Sequence, residues 1–175
     1  MTIICAQRVD GGVLIGSDSL VCGEGFLCPQ GQKKWACTDG GLWVGLSGHF
    51  RAMSLIKSIG ADTADGFVSD LRARIKEDDW SRVQDDDRGY PAIYCTYLIV
   101  VEENRVFHVH GSGSVVDFGD CFCAEGSGRE YAYGAAYALR ADCGPNPELV
   151  MRMAIEAACK YDPACGGDVF IRKVP

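Results

Sequence analysis

Thr2 directly follows Met1, and removing that methionine would leave a hydroxyl nucleophile and a free α-amine on one residue. The amine can take the proton from the hydroxyl, so the two groups form a self-contained nucleophile and base. Its ordinary pKa of roughly 7.7–8.0 leaves part of it neutral near physiological pH. A chain that keeps Met1 has an amide there instead, which removes the base and adds bulk in front of the hydroxyl. Other groupings carry weaker chemistry. His108-Val109-His110 and Cys121-Phe122-Cys123 each put two ligating groups on one strand face, a tetrahedral zinc set if the strands were adjacent. Such i, i+2 pairs arise freely in strands, and the reading here is against a metal. Asp85-Asp86-Asp87 lacks the alternating ligands of an EF-hand loop and reads as a solvated loop. His49 is the one further histidine, so a Ser-His-Asp triad has little material. Gly111-Ser112-Gly113 reads as a turn, because neither the lysine nor the helix of a phosphate loop follows.

These residues must be positioned by a chain of 175 residues, enough for a sizeable core, and the expectation is one domain spanning 1–175. With 47% hydrophobic and 23% charged residues the composition is that of an ordinary globular protein. A net charge of −7 argues against nucleic acid as the main partner, because no basic stripe is available for phosphates. No apolar run approaches the roughly 20 residues that span a bilayer, so no membrane partner is expected. The first residues run straight into a charged, strand-like segment and do not read as a signal peptide. Ten cysteines invite a disulfide reading, but none forms a Cys-x-x-Cys pair, and Cys5, Cys95, Cys123 and Cys159 sit in apolar stretches. Reduced core thiols in a cytoplasmic protein are the expectation.

Hydrophobic periodicity orders the elements. Thr2 to Ala6 reads as a strand, Asp10-Gly11-Gly12 as a hairpin turn, and Val13 to Asp18 as the returning strand. A glycine-rich connection, 23–31, precedes strands at Lys33 to Cys37 and Leu42 to Ser47, joined by the turn Thr38-Asp39-Gly40-Gly41. Phe50, Met53, Leu55 and Ile56 recur at helical spacing, predicting a helix from His49 to about Ile59. A second helix is predicted over Ala64 to Trp80, its apolar face formed by Phe67, Val68, Leu71 and Ile75. Further strands are predicted at Ile93 to Val101, Val106 to His110, Val115–Val116 and Cys121 to Ala124. Helices at about Arg129 to Arg140 and Pro147 to Lys160 flank the break Asp142-Cys143-Gly144-Pro145, and Asp168 to Lys173 forms a last strand. This order predicts an α+β protein with two antiparallel sheets covered by helices.

From Thr2 to Gly48 the chain resembles the proteasome β-subunit group, especially the bacterial HslV-type peptidases, within the N-terminal-nucleophile hydrolases. The family's threonine falls on Thr2, its strand-end aspartate on Asp18 in Gly16-Ser17-Asp18-Ser19, and its lysine on Lys34. The glycine of its Ala/Ser-Gly turn falls on Gly48. Its Gly-Ser-Gly before a long helix matches Gly126-Ser127-Gly128, and its Asp-x-x-Ser-Gly matches Asp162-Pro163-Ala164-Cys165-Gly166, with cysteine replacing serine. The resemblance thus extends in order over nearly the whole chain and implies a four-layer αββα sandwich.

It also implies roles. Thr2 would be the nucleophile, Lys34 a positive charge lowering the hydroxyl's pKa, and Asp18 the partner that orients the lysine. The Gly48 N–H would stabilise the oxyanion, and Ser127 with Asp162 would hold the Thr2 amine and a bridging water. The family's first specificity pocket falls on Val21, Gln32, Ala36, Leu46, Phe50 and Ser54, which carry no fixed charge and suit an apolar substrate side chain. Leu46 and Phe50 fit equally well as core residues. The implied activity is that of a threonine-type endopeptidase acting on polypeptides in stacked homo-oligomeric rings, fed by an unfoldase ATPase. This chemistry requires no cofactor; a structural monovalent cation stays open. Retention of Met1 would point instead to a structural or assembly paralogue, and the same nucleophile would also serve a small-molecule amidase.

Overall fold

A computed structural model describes residues 2–23, 26–28, 31–48, 52–77, 97–110, 113–142 and 146–175. The His49 and Phe50 start of the first predicted helix, the Trp80 end of the second, Asp85 to Asp87, the strand start at 93–96, Gly111-Ser112 and Cys143-Gly144-Pro145 lie outside these residues. The first sheet has the order β10-β1-β2-β11, formed by β1 (Ile3–Val9), β2 (Gly12–Ser17), β10 (Cys123–Gly126) and β11 (Phe170–Val174). A second sheet runs β5-β6-β7-β8-β9, from β5 (Trp35–Cys37) and β6 (Trp43–Ser47) through β7 (Tyr97–Glu102) and β8 (Arg105–Val109) to β9 (Val115–Asp117). All pairings in both are antiparallel. A short hairpin of β3 (Val21–Gly23) and β4 (Phe26–Cys28) occupies the stretch expected to be a plain glycine-rich connection.

The layering follows from side chains alternating across each strand. Ile3 and Cys5 of β1 face one way, into a core shared with α3 (Arg129–Asp142) and α4 (Pro147–Tyr161) through Ala132, Ala136, Met151 and Ile155. Ile4 and Ala6 face the other way and meet Val13, Ile15, Ile99 and Val101 between the two sheets. On β6, Val44 and Leu46 pack against Met53 and Ile56 of α1 (Ala52–Lys57) and Phe67 of α2 (Ala64–Glu77). Gly45 between them points at the inter-sheet core, where a Cβ would stand 2.7 Å from Ile4 Cγ2, so a bare backbone lets the sheets approach. The result is the four-layer αββα sandwich.

Local chemistry sets the element ends nearest the chain start. The Asn146 side chain caps α4 by accepting the Leu149 N–H at 3.1 Å, with Pro147 preset in the first turn. At the other end Asp162 is the C-cap, its N–H reaching the Ala158 carbonyl at 2.8 Å. β10 is displaced two residues from the predicted Cys121–Ala124 because its register is set by β1, Ile3 lying opposite Gly126 and Ala6 opposite Cys123. Pairing across strands, invisible to a single-strand pattern, overrides local propensity here.

Gly126 adopts φ 112°, and a Cβ on it would collide with the Thr2 carbonyl oxygen. Gly126→Ala is therefore expected to lower the unfolding free energy by about 2–4 kcal/mol, combining left-handed strain with overpacking. Urea denaturation checks this; a change below half a kcal/mol would mean that the two segments do not meet as described.

Candidate active site

Asp18 lies one residue beyond β2, and its N–H donates to the Ile3 carbonyl at 3.2 Å, extending the β1–β2 ladder by one rung. Its carboxylate is completely buried. A charge in that position must be paired and hydrogen-bonded. Oδ1 accepts from Thr2 Oγ1 at 2.6 Å, from Lys34 Nζ at 2.7 Å and from the Ile3 N–H at 3.1 Å. Oδ2 accepts from the Gly166 N–H at 3.0 Å. An ionised carboxylate has about four acceptor sites, so its capacity is met. Thr2 and Lys34 are themselves buried.

Lys34 is held from both sides of its peptide. Its N–H reaches the Ser17 hydroxyl at 3.4 Å, and its carbonyl accepts the Leu46 N–H at 2.8 Å, tying the segment to β2 and β6. Thr2 is held by its own carbonyl, which accepts the Gly128 N–H at 3.4 Å. The expected trio of Thr2, Asp18 and Lys34 is thus brought together, with one change in arrangement. Hydroxyl and ammonium converge on a single carboxylate oxygen, so Lys34 reaches the nucleophile within two hydrogen-bond lengths through Asp18.

Gly48 follows β6 at φ 138° and is exposed. The Ser47 hydroxyl before it lies against Gly126, which abuts the Thr2 carbonyl, so this glycine ends the strand beside the Thr2 peptide. On the other flank, Asp162 Oδ1 accepts the Ala164 N–H at 2.9 Å, and Oδ2 accepts the Cys165 thiol at 3.3 Å. The Ser127 hydroxyl stands 3.9 Å from the Cys165 sulfur. Burial alone would raise the Asp162 carboxyl, but hydrogen bonds from Ser127, Ala164 and Cys165 outweigh it and hold the group below the ordinary carboxylate range. Burial pushes the Cys165 thiol far up, and the Asp18 and Asp162 carboxylates add to this. It is a neutral donor, not a nucleophile. Two contributors had gone unmarked: the Gly166 N–H on Asp18, and Cys165 as a donor. Both sit in the Asp162–Gly166 motif, where a residue type but no direction can be read.

The six pocket positions separate. Gln32, Ala36 and Ser54 line one cleft of about 450 Å³ together with Met53, Lys33 and Lys57. Leu46 belongs to the core beneath α1 and α2. Val21 is half-buried and does not line that cleft, and Phe50 lies outside the described residues. Lys33 and Lys57, outside the six positions, add two lysines to the border of that cleft. His108 Nε2 lies 3.0 Å from Glu125 Oε1, outside hydrogen-bonding geometry. Cys121 is exposed ahead of β10 while Cys123 is buried, so the two thiols do not share a strand face with the histidines. Cys5, Cys37, Cys121, Cys123, Cys159 and Cys165 are all free thiols. No helix among the described residues is long and apolar enough to cross a membrane.

Two facing antiparallel sheets between helix pairs, with a threonine entering the first strand beside a buried Asp–Lys pair, define the N-terminal-nucleophile hydrolase fold. No protein-family model matches the chain. It is 29% identical over 140 residues to the ATP-dependent protease subunit HslV of Thermosipho africanus, covering 79% of this chain and 77% of that one. Thiobacillus denitrificans BPH in complex with Epoxomicin superimposes with a TM-score of 0.76 at 20% identity, over 99% of each chain. HslV from Trypanosoma brucei does so with a TM-score of 0.67 at 23% identity, over 98% of this chain and 99% of the other. The chain is thus similar to HslV in sequence over most of its length and shares its fold with these structures.

Removing the positive partner strands a buried carboxylate, so Lys34→Ala should cost about 3–5 kcal/mol of unfolding free energy. Retention of full stability in urea would show that the Asp18 pair is not desolvated. In the folded protein at pH 7.5, iodoacetamide should modify the exposed Cys37 and Cys121 and spare Cys5, Cys123 and Cys165. Peptide mapping reads this, and labelling of Cys165 at the rate of Cys37 would contradict its burial. Asp162 binds its proton less readily folded than unfolded. Its stabilisation is therefore complete above its unfolded pKa of about 3.9 and disappears as pH falls through the lower folded value. Asp162→Asn should flatten that acid limb in pH-dependent melting, and an unchanged limb would assign it elsewhere.

Proposed function

We propose that this chain is a threonine-type endopeptidase subunit of a self-compartmentalising ring, with Thr2 as nucleophile after Met1 is removed. The observation that carries the reading is the buried Thr2 hydroxyl sharing one Asp18 oxygen with the Lys34 ammonium. A peptidase needs an ordered, water-shielded nucleophile with a cation at hand; the buried hydrogen bond to Asp18 orders the hydroxyl, and the Lys34 ammonium sits on the same carboxylate oxygen. The freed α-amine takes the Thr2 proton as Oγ1 attacks the peptide carbonyl carbon, and the oxyanion accepts the Gly48 N–H. The C–N bond then breaks, the leaving amine takes the proton, and an ester to Thr2 remains. Water, deprotonated by the same amine, attacks the ester and releases the acid, restoring the hydroxyl. Asp162, with Ser127 and Cys165 on it, keeps a negative charge beside the chain start to orient the amine.

Exposed Tyr131, Tyr137, Leu149, Met153 and Tyr161 on α3 and α4 form an apolar face suited to a subunit interface. The name of the Thermosipho relative supports an ATP-dependent partner that feeds in polypeptide. Intact-mass measurement on protein from its native source should show loss of Met1. Thr2→Ala should then reduce hydrolysis of fluorogenic peptides to background, in particles far larger than a dimer. Quantitative retention of Met1 would overturn the proposal in favour of a structural paralogue. Monomers or dimers at micromolar concentration would favour a small-molecule amidase.

A further inference from the structure

We infer that the cleft beside the Thr2 cluster receives an acidic side chain of the substrate polypeptide, held by Lys33 and Lys57; this deepens the peptidase reading and rests on it. The cleft adjoins the segments that carry Asp18 and Lys34 at two points. Gly31 is pressed against the Ser19 backbone, one residue after Asp18, and Lys33 immediately precedes Lys34. On the proposal, a peptide bound at Thr2 presents a neighbouring side chain to this cleft. Its floor is small and neutral, made by Ala36, Met53, Ser54 and Gln32. Its charge comes from the two lysines, and no aspartate or glutamate is among the described lining residues.

Both lysines are exposed, and the structure fixes the Lys33 ammonium and the backbone of Lys57. Lys33 Nζ stands 5.3 Å from the centre of the Trp35 ring and 5.6 Å from that of Phe170, so aromatic faces fix it without neutralising it. Lys57 ends α1, where its carbonyl accepts the Asp39 N–H at 2.9 Å and so fixes the backbone that carries the side chain. Neither is ion-paired with a carboxylate among the described residues. In a chain of net charge −7, two neighbouring lysines without acidic partners make a local positive field against the overall sign. A leucine side chain would fit the volume and leave both charges unanswered. A lysine or arginine would meet repulsion, and a carboxylate completes the set.

The test uses the assembled, Met1-free protein and three fluorogenic peptides that differ only in having Asp, Leu or Arg on the acyl side of the scissile bond. The Asp peptide should have the highest kcat/KM and the Arg peptide the lowest. In Lys33→Glu/Lys57→Glu the Asp-to-Arg ratio should fall by at least about tenfold, since two attractive contacts become repulsive. Lys173→Glu, on β11 in a different cleft, should leave that ratio unchanged. A Leu or Arg optimum, or a ratio unmoved by the double reversal, would overturn the inference while leaving the peptidase intact. Hydrolysis of none of the three would count against the peptidase reading instead. Peptide binding to Thr2→Ala, followed by fluorescence anisotropy, then decides the cleft separately. Tighter binding of the Asp peptide, lost in the double reversal, supports it; equal affinity for the Asp and Leu peptides overturns it.

Discussion

A carboxylate removed from water is tolerated where its lone pairs meet donors, and Asp18 meets four from three parts of the chain: the Thr2 hydroxyl and Ile3 amide, the Lys34 ammonium and the Gly166 amide. Each of the three parts fixes a different element. Thr2 and Ile3 anchor the start of β1, Lys34 ties the entry of β5 to the other sheet, and Gly166 brings the segment after α4 over the end of β2. The same contacts that satisfy the charge therefore align both sheets and the helix pair. Substituting any one donor perturbs more than the site, because the remaining lone pairs have no water to turn to.

Bare backbone plays the complementary part. Gly126 lets β10 lie against the Thr2 carbonyl, and Gly45 admits Ile4 between the sheets. Gly128 lets the start of α3 approach α4, where a Cβ would stand 2.7 Å from that of Ala158. Asp162 belongs to both layers of explanation. Its main chain closes α4, and its side chain gathers the Ala164 amide and the Cys165 thiol. Helix termination and electrostatics near the chain start thus depend on one residue.

Much of this was legible in the residues alone. Short apolar runs bounded by turn residues locate β1, β2, β6 and β8, and the 3.6-residue period locates α2, α3 and α4. Thr2, Asp18 and Lys34 were identified through their order along the chain, and their meeting at one oxygen is a fact of packing that spacing does not encode. The β3–β4 hairpin was missed because its six strand residues (21–23 and 26–28) are glycine-interrupted and too short to show a period. The register of β10 depends on its partner strand. The charged border of the cleft was missed for another reason. Lys33 beside Lys34 reads as one solvated lysine next to one functional lysine, and Lys57 joins it only when α1 folds back over β5.

The amide of Gly166 on Asp18 joins residues 148 positions apart. Contacts of such sequence separation carry the largest loop-closure cost and belong among the last to form. A nascent chain reaches residue 34 early and can pair Lys34 with Asp18, but the carboxylate is not sealed until the C-terminal helix has docked. A buried cluster wired in this way is completed only after most of the chain has folded.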